Sequence, residues 1–261
     1  MKIVSIEAIP VRLPRSGQQA VGTAGSPTTV QAGSGQYRWS NTVPALYSLH
    51  FETALVKVCT DTGLVGWGEA QAPLAPEVAC EIVRLLLRPV LEGREFDGSL
   101  EAIALCWDRM YRTMRVRGQT GGFMLDAISG VDIALWDLAG QIQQKPVAEL
   151  IRPDGAATRV PAYFSGIPGA TTAECVDRAR SAAAEGFRTF KLFHDAGAED
   201  LFARLDALSS ALNDGARIAV DALWRLEPAS AVAFGQELDR RNVLWLEAPL
   251  TPEDADAHAE L

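Results

Sequence analysis

Three short apolar runs in the second half of the chain constrain its fold most strongly, and they occupy residues 188–194, 217–224 and 242–249. Each run carries an ionisable residue near its end, namely Lys191, Asp221 and Glu247, which are separated by 30 and then 26 residues. A strand, a helix and two short loops together use about that many residues. The runs are apolar on both faces, which is typical of parallel strands covered on both sides. The pattern therefore predicts successive βα units.

The same rhythm predicts about four βα units, with a strand at 160–165 and helices at 171–185, 198–213 and 227–241. Residues 251–254 indicate the start of another helix, with a capping threonine, a proline in the first position and an acidic first turn. Active sites of (β/α) barrels lie at the carboxyl ends of the strands, where the three ionisable residues are predicted. A closed barrel needs eight units, and a half-barrel would leave a strand edge unpaired. We therefore expect the barrel domain to be incomplete and the chain to be the front portion of a longer protein.

The first half of the chain has a different organisation, in which strands precede helices. Alternating residues predict a three-stranded antiparallel meander at 2–13, 45–60 and 64–69, and helical periodicity follows at 76–91, 99–114 and 123–142. Strands followed by helices are typical of an α+β unit. We therefore predict an α+β domain at 1–155 and the first half of a (β/α) barrel at 156–261.

Residues 15–42 interrupt this meander with a segment rich in Gly, Ser, Thr and Gln and poor in apolar periodicity. Loops of this length are usually functional lids or disordered. Tyr37 and Trp39 lie near the end of the segment and are side chains of the kind that contact ligands. The segment is therefore either a substrate-contacting loop or a surface loop.

Charge and composition exclude several classes of partner. The net charge of −9 argues against binding to nucleic acid or to an anionic membrane. The four cysteines are scattered without a CxxC pair, which favours buried thiols in a reducing compartment. There is no long apolar segment of the kind found in signal peptides or membrane spans. We expect a cytoplasmic protein.

Six segments in order along the chain resemble the enolase superfamily, in particular its mandelate racemase/muconate lactonizing enzyme family. The segments are ALVKV (54–58), GLVGWGEA (63–70), AISGVDIALWDLAG (127–140), GFRTFK (186–191), VD (220–221) and WLEAP (245–249). Each is weak alone, but the ordered set covers nearly the whole chain. The resemblance implies an α+β capping domain followed by a modified TIM barrel. It also implies Mg²⁺-assisted removal of a proton next to a carboxylate.

Asp221 and Glu247 match the first two of three metal ligands that such enzymes place on consecutive barrel strands. The third would lie on the next strand, beyond Leu261. Mg²⁺ prefers oxygen ligands, and it can bind a substrate carboxylate and stabilise enediolate charge. Without the resemblance, the spacing also fits residues that cap the next helix or pair with arginine.

Lys191 matches the first lysine of the family's Lys-x-Lys motif, and Phe193 replaces the second, which is usually a base on one face of the substrate. Strand alternation predicts that Lys191 and Phe193 face the barrel interior and that Leu192 faces outward. Lys191 could act as a base with a lowered pKa, or it could stay charged and bind a carboxylate. We expect His194 to lie at the surface, with an inward position as the alternative.

Substrate recognition is expected to differ from that of many relatives, because Leu223 stands where they carry an asparagine that can contact substrate. Trp67, together with Tyr37 and Trp39, would belong to the capping segments that determine specificity. Four acidic residues are expected to be structural or solvated: Glu52, Asp126, Asp132 and Asp137.

The leading hypothesis is a Mg²⁺-dependent lyase that dehydrates an acid sugar or hydroxy acid, because the missing second lysine favours one-sided chemistry. The alternative within the superfamily is a racemase, epimerase or cycloisomerase. An alternative of another class is a truncated, catalytically inactive chain. The resemblance further implies a small-molecule carboxylate substrate and a homo-oligomer.

Overall fold

The computed structural model of the chain describes residues 1–14, 31–32, 36–40, 45–152, 155, 159–195, 197–212 and 215–261. These residues form two compact units. The first contains the described residues before Arg159 except Ser40 and Ala45, and the second contains those two residues and the described residues from Arg159 to Leu261. Within these described ranges, no helix is long and apolar enough to cross a membrane.

The strands of the described chain are β1 (Ile3–Pro14), β2 (Gln31–Ala32), β3 (Tyr37–Ser40), β4 (Ala45–Ser48), β5 (His50–Thr60), β6 (Val65–Ala70), β7 (Phe164–Ser165), β8 (Thr189–Phe193), β9 (Arg217–Asp221) and β10 (Leu246–Glu247). The helices are α1 (Pro76–Ile82), α2 (Arg88–Leu91), α3 (Leu100–Arg115), α4 (Phe123–Gln143), α5 (Val147–Ile151), α6 (Thr172–Ala184), α7 (Ala198–Ala211), α8 (Pro228–Asp239) and α9 (Ala255–Glu260). A π-helical turn, Val83–Leu87, connects α1 to α2. The predicted helix at 76–91 is therefore helical throughout but not uniformly α.

The main sheet of the first unit has the order β1-β5-β6, and both neighbouring pairs are antiparallel. Its strands alternate as predicted: Ala54, Val56 and Val58 are fully buried on one face of β5, while the residues between them are partly exposed. Gly63, with φ of 83°, closes the hairpin between β5 and β6, which is the left-handed conformation that glycine adopts without strain. The predicted meander is confirmed.

Helix α4 covers the buried face of this sheet at unusually close range, because glycines line the contact. A Cβ added to Gly68 would lie 2.1 Å from the carbonyl oxygen of Gly130, and one added to Gly66 would lie 2.2 Å from that of Ala134. Only glycine permits such an approach between a strand and a helix backbone. This contact explains physically why positions 66, 68 and 130 are glycines.

A small second sheet has the order β2-β3-β4. Segment 15–42 was predicted to be a loop, and within its described residues this is wrong, because β2 and β3 form an antiparallel pair. The rest of the segment lies outside the described residues. The predicted strand at 45–60 is divided at Leu49, whose backbone N–H donates to the carbonyl of Gln36 at 2.9 Å.

The second unit contains a four-stranded sheet of order β10-β9-β8-β7, with every neighbouring pair parallel. Apolar residues of the strands pack against the helices in one core, which includes Phe190, Leu192, Val220, Leu205 and Leu238. The predicted strands at 160–165 and 242–249 extend too far, because only two residues of each form a β-ladder. These two strands form the edges of the described sheet, where each strand pairs on one side only.

Three of the nine described α-helices, α3, α6 and α9, begin at a residue whose side chain caps the first turn. Thr171 caps α6 in a complete capping box with Glu174, and Ser99 caps α3 by accepting from the N–H of Ala102. The predicted helix start at Thr251 is wrong: α9 begins at Ala255, and Asp254 caps it by accepting from the N–H of Ala257. Aspartate is at least as good a cap as threonine, so the local sequence contains two competing starts.

Candidate functional site

Lys191, Asp221 and Glu247 meet at the carboxyl ends of β8, β9 and β10 in the second unit. The Lys191 Nζ atom donates to Asp221 Oδ2 at 3.2 Å and to Glu247 Oε1 at 2.7 Å. Parallel pairing produces this arrangement, because Phe193 lies in register with Asp221, and Asp221 lies in register with Glu247. The Lys191 side chain is 6% exposed and that of Asp221 is 10% exposed, whereas the Glu247 side chain is 39% exposed. One buried ammonium therefore bridges two carboxylates, one of which is open to solvent.

A second donor holds the other oxygen of each carboxylate. The backbone N–H of Leu223 donates to Asp221 Oδ1 at 3.1 Å, and the indole Nε1–H of Trp245 donates to Glu247 Oε2 at 3.1 Å. Each carboxylate thus has one oxygen on a donor fixed by the fold and one oxygen on Lys191.

The Lys191 ammonium and the Glu247 carboxylate stabilise each other's ionised form. Burial alone lowers the pKa of Lys191, but its hydrogen bonds to Glu247 and Asp221 outweigh burial and raise that pKa above the ordinary lysine value. The hydrogen bond from Lys191 holds the pKa of Glu247 below the ordinary glutamate value. Lys191 is therefore charged at neutral pH in this arrangement, and not a free base.

Aromatic rings flank the ammonium on its apolar sides. Lys191 Nζ lies 5.7 Å from the ring centroid of Tyr163 and 5.5 Å from that of Phe193. Phe193 packs so closely on Gly166 that a Cβ at that glycine would lie 2.4 Å from the phenyl ring. Cation–π contacts at this distance favour a charged lysine. The prediction that Lys191 and Phe193 share a face while Leu192 points into the helix layer is confirmed.

The loops that follow β9 and β10 contain three residues other than glycine in the left-handed region: Leu223 (φ 55°), Trp224 (φ 55°) and Ala248 (φ 44°). Their N–H and C=O groups continue the ladder, since the N–H of Trp224 donates to the carbonyl of Ala248 at 2.7 Å. Such strain, about 1 kcal/mol or more per residue, concentrates at functional sites. Leu223, predicted to lie at a substrate-binding position, contributes its backbone N–H to Asp221.

His194 was expected at the surface, and this is wrong: the residue is only 8% exposed. It continues the outward alternation of Phe190 and Leu192, so its ring lies in the helix layer, 5.2 Å from the ring of Phe234. Burial lowers the pKa of His194, and Arg225 lowers it further. Among the described residues, its Nδ1 atom has no hydrogen-bond partner.

The three aromatic residues predicted in the capping segments all belong to the first unit. Tyr37 donates its hydroxyl to Glu52 Oε2 at 3.2 Å and accepts the N–H of Ala75 at 3.0 Å. Trp39 and Trp67 are 41% and 46% exposed. Trp67 also donates its backbone N–H to Asp137, which gives that aspartate the structural role expected of it.

Glu52 also has a structural role, because its fully buried carboxylate accepts four kinds of donor. These donors are the Arg12 guanidinium, the Tyr37 and Ser48 hydroxyls and the Ala75 N–H. Three of the four cysteines are buried as well, and all four are free thiols. The expectation of buried thiols is thus confirmed for Cys80, Cys106 and Cys175.

The position of the Lys191 ammonium shows whether the carboxylates of Asp221 and Glu247 could serve as ligands of Mg²⁺. Two carboxylate oxygens converge on one cationic atom, which is the ligand chemistry that Mg²⁺ prefers. Across the ranges that the structure describes, no group of three or more His, Cys, Asp and Glu side chains is arranged to hold a metal ion. A magnesium site often uses only one or two protein carboxylates, with waters and substrate completing the shell. The pair Asp221 and Glu247 therefore fits Mg²⁺ as a partial ligand set.

Sequence reasoning missed two side chains of this site, Trp245 and Tyr163. A usable signal existed for Trp245: it lies two residues before Glu247 in the same apolar run, and side chains two residues apart in an extended segment share a face. Tyr163 precedes the two-residue strand β7, and its contacts depend on tertiary packing, so no local pattern indicates it.

Comparison with known proteins places the two halves of the chain in one family. Residues 42–152 match the family model of the mandelate racemase/muconate lactonizing enzyme N-terminal domain, and residues 174–261 match that of the enolase C-terminal domain-like group. The chain is 30% identical over 216 residues to a D-galactarolactone cycloisomerase of Agrobacterium fabrum, with 79% of this chain and 53% of that protein covered. It is 28% identical over 215 residues to an arabinonate dehydratase of Saccharolobus solfataricus, with 80% and 56% covered.

Solved structures give the same result for the fold. A member of the enolase superfamily from Agrobacterium tumefaciens superposes with a TM-score of 0.89 at 31% identity, and the match covers 98% of this chain and 64% of that one. A racemase from Streptomyces coelicolor with bound magnesium superposes with a TM-score of 0.77 at 25% identity, covering 98% and 65%. The chain thus spans about half the length of the curated relatives it matches and under two thirds of these structures.

Proposed function

Because the chain belongs to the mandelate racemase/muconate lactonizing enzyme family of the enolase superfamily, we propose that it supplies the metal-binding strands of a Mg²⁺-dependent enzyme that removes a proton next to a carboxylate. The observation that supports this most directly is the bridge from Lys191 to Asp221 and Glu247 at the carboxyl ends of parallel strands. Two carboxylates aimed at one cationic position are the chemistry that such a reaction requires.

In this proposal Asp221 and Glu247 would hold the metal. Mg²⁺ supplies a Lewis acid that binds the substrate carboxylate and stabilises enediolate charge. Lys191 leaves the carboxylates and keeps its ammonium beside the site, where it binds the substrate carboxylate. A charged lysine between two aromatic rings suits binding better than proton abstraction.

The reaction we favour is dehydration of an acid sugar or hydroxy acid. A base takes the proton next to the carboxylate, the hydroxyl on the next carbon takes up a proton and leaves as water, and the resulting enol becomes a keto acid. Phe193 can neither accept nor donate a proton, so the face of the substrate that the second lysine would serve has no base at this position. One-sided chemistry of this kind suits elimination better than racemisation, which needs a base on each face.

Cycloisomerisation is the second candidate, because the relative at 30% identity carries that name. It begins with the same proton removal and also needs no base on the second face. The two reactions differ in their products, because only dehydration releases water, whereas the product of a cycloisomerase has the same composition as its substrate.

The two relatives are longer than the region that matches this chain, so the proposal concerns a longer protein. The aligned region spans 53% and 56% of the two relatives. We propose that the third metal ligand and the general base lie in a region of a longer protein corresponding to the remainder of those relatives. The 261 residues alone would then bind Mg²⁺ weakly and show no turnover.

The test is calorimetric titration of Mg²⁺ into the 261-residue chain, into an Asp221→Ala variant and into an Asp177→Ala control. Asp177 is an exposed acidic residue of α6. Binding that Asp221→Ala abolishes and Asp177→Ala preserves is the expected result. A folded wild-type chain that binds no Mg²⁺, or binding that Asp221→Ala leaves unchanged, would reject the metal site.

The reaction is tested on a protein that contains the whole barrel, with a panel of acid sugars in deuterated buffer. Keto-acid formation is the result expected for a dehydratase. Isomerisation with solvent deuterium incorporated and no keto acid formed would reject dehydration in favour of the second candidate.

A further inference from the structure

The hydrogen bonds of the two carboxylates divide into exchangeable and fixed bonds. The Lys191 ammonium donates hydrogen bonds to Asp221 Oδ2 and Glu247 Oε1, and a bound metal ion would replace the ammonium at both oxygens. The opposite oxygens are held by the backbone N–H of Leu223 and by the indole of Trp245. For Asp221 the fixed donor belongs to the backbone, but for Glu247 it is a side chain that a single substitution can remove.

The indole of Trp245 is itself held in place from two directions. The backbone carbonyl of Trp245 accepts a hydrogen bond from the N–H of Val220 at 3.0 Å, which fixes the Trp245 backbone against β9. Its ring meets the ring of Tyr163 edge-on, with centroids 5.2 Å apart and planes at 77°. Edge-to-face contacts of this kind favour one ring orientation. The indole N–H is a donor only, so it can stabilise a carboxylate oxygen but cannot itself bind a cation.

We infer that Trp245 is a positioning residue that holds Oε2 of Glu247 and so leaves Oε1 as the oxygen offered to the cation. This inference rests on the proposed function, since it assigns the cation to the position of the Lys191 ammonium. Glu247 has the most exposed side chain of Lys191, Asp221 and Glu247, at 39%. An exposed glutamate side chain normally populates several rotamers. The indole restricts Glu247 to the rotamer in which Oε1 reaches the same point as Asp221 Oδ2.

A role in packing alone makes a different prediction from a role in positioning. A phenylalanine at 245 retains an aromatic ring for the edge contact with Tyr163 but removes the N–H. Partners that orient metal ligands typically contribute about 10- to 100-fold to metal affinity. Trp245→Phe is therefore expected to weaken Mg²⁺ binding by about 10-fold or more without unfolding the chain.

The experiment compares Mg²⁺ affinity by calorimetry in the wild-type chain, Trp245→Phe and a Trp107→Phe control. Trp107 stacks on Tyr111 in α3 of the first unit, with ring centroids 4.9 Å apart. Weakened binding in Trp245→Phe and wild-type binding in Trp107→Phe is the expected result. If the wild type binds Mg²⁺ and Trp245→Phe binds it equally well, this inference is overturned and the proposed metal site stands. A wild type that binds no Mg²⁺ overturns both.

A nuclear magnetic resonance measurement on the wild-type chain keeps the inference testable if Trp245→Phe does not fold. The chain has six tryptophans, and the indole signal of Trp245 is identified by its proximity to the Tyr163 ring. We expect that signal to stay protected from solvent exchange when Mg²⁺ is added, and to move in a Glu247→Gln variant. Rapid exchange of this indole proton in the Mg²⁺-bound chain would overturn the inference.

Discussion

Replacement of Lys191 by methionine isolates the contribution of its ammonium, because methionine retains most of the apolar stem and removes the charge. The wild-type ammonium donates to two carboxylates whose side chains are 10% and 39% exposed. A hydrogen bond to a charged group contributes about 1.5–3 kcal/mol when it is buried. Water can replace part of the bond to Glu247 but little of the bond to Asp221. We therefore expect Lys191→Met to lower the free energy of unfolding by about 3 kcal/mol in the absence of metal.

Added Mg²⁺ should reverse this loss, since it can occupy the position that the ammonium leaves. A ligand that binds only the folded state adds about 2.7 kcal/mol of stability at 100 times its dissociation constant. In the wild type, Mg²⁺ must first displace Lys191, so the same concentration should stabilise the wild type less than the variant. The variant is thus less stable than wild type in chelator and shows the larger response to Mg²⁺.

Urea denaturation of the two proteins, in chelator and in millimolar MgCl₂, measures both effects. Lys145→Met is the control, because Lys145 is exposed and its loss should change stability by less than about 0.5 kcal/mol. Equal stability of Lys191→Met and wild type in chelator would refute the ion-pair reasoning. A Mg²⁺ response no larger in Lys191→Met than in wild type would refute the idea that the ammonium and the metal share one position.

Three further predictions concern the first unit. Gly68→Ala should destabilise it by about 1–3 kcal/mol or more in urea denaturation, because the added Cβ meets the backbone of α4. Asp132→Asn should stabilise the chain by less than about 1 kcal/mol at pH 7 and should leave its stability unchanged at pH 3. Burial raises the pKa of Asp132, so the wild type loses stability when the carboxyl ionises as the pH rises through that pKa. A thiol reagent should label Cys59 before Cys80 or Cys106 in the native chain, as counted by mass spectrometry, because Cys59 is partly exposed and burial raises the pKa of the other two thiols.

The positions of the three charged residues could be predicted because strand alternation and strand ends are local properties. Lys191, Asp221 and Glu247 each lie near the end of an apolar run, and parallel strands bring their carboxyl ends to one edge of a sheet. Helices α3 and α4 were also predictable, since the apolar spacing of both and the Ser99 cap of α3 are contained in the sequence. The parts that failed depend on contacts distant in sequence. His194 is buried because α8 lies over it, and its own strand gives no sign of that helix.

The backbone of the two loops was less predictable still. Left-handed residues are normally anticipated from glycine or asparagine, and here the positions are Leu223, Trp224 and Ala248. Nothing in the composition of 222–226 indicates a turn of this kind. The hydrogen bonds from Ala222 and Trp224 to Glu247 and Ala248 impose it, and they form only when β9 and β10 are already paired.

In the proposed metal site, this strained backbone would let a metal ion replace the Lys191 ammonium without reorienting the carboxylates. The strain at Leu223 directs its N–H to Asp221 Oδ1, and the packing of Tyr163 directs the indole of Trp245 to Glu247 Oε2. Neither donor contacts Lys191, so on the proposed function both carboxylates would keep their orientation if a metal ion took the place of the ammonium. Lys191 is then the one group of the three that must move, and its long flexible stem makes it the group that can do so at least cost.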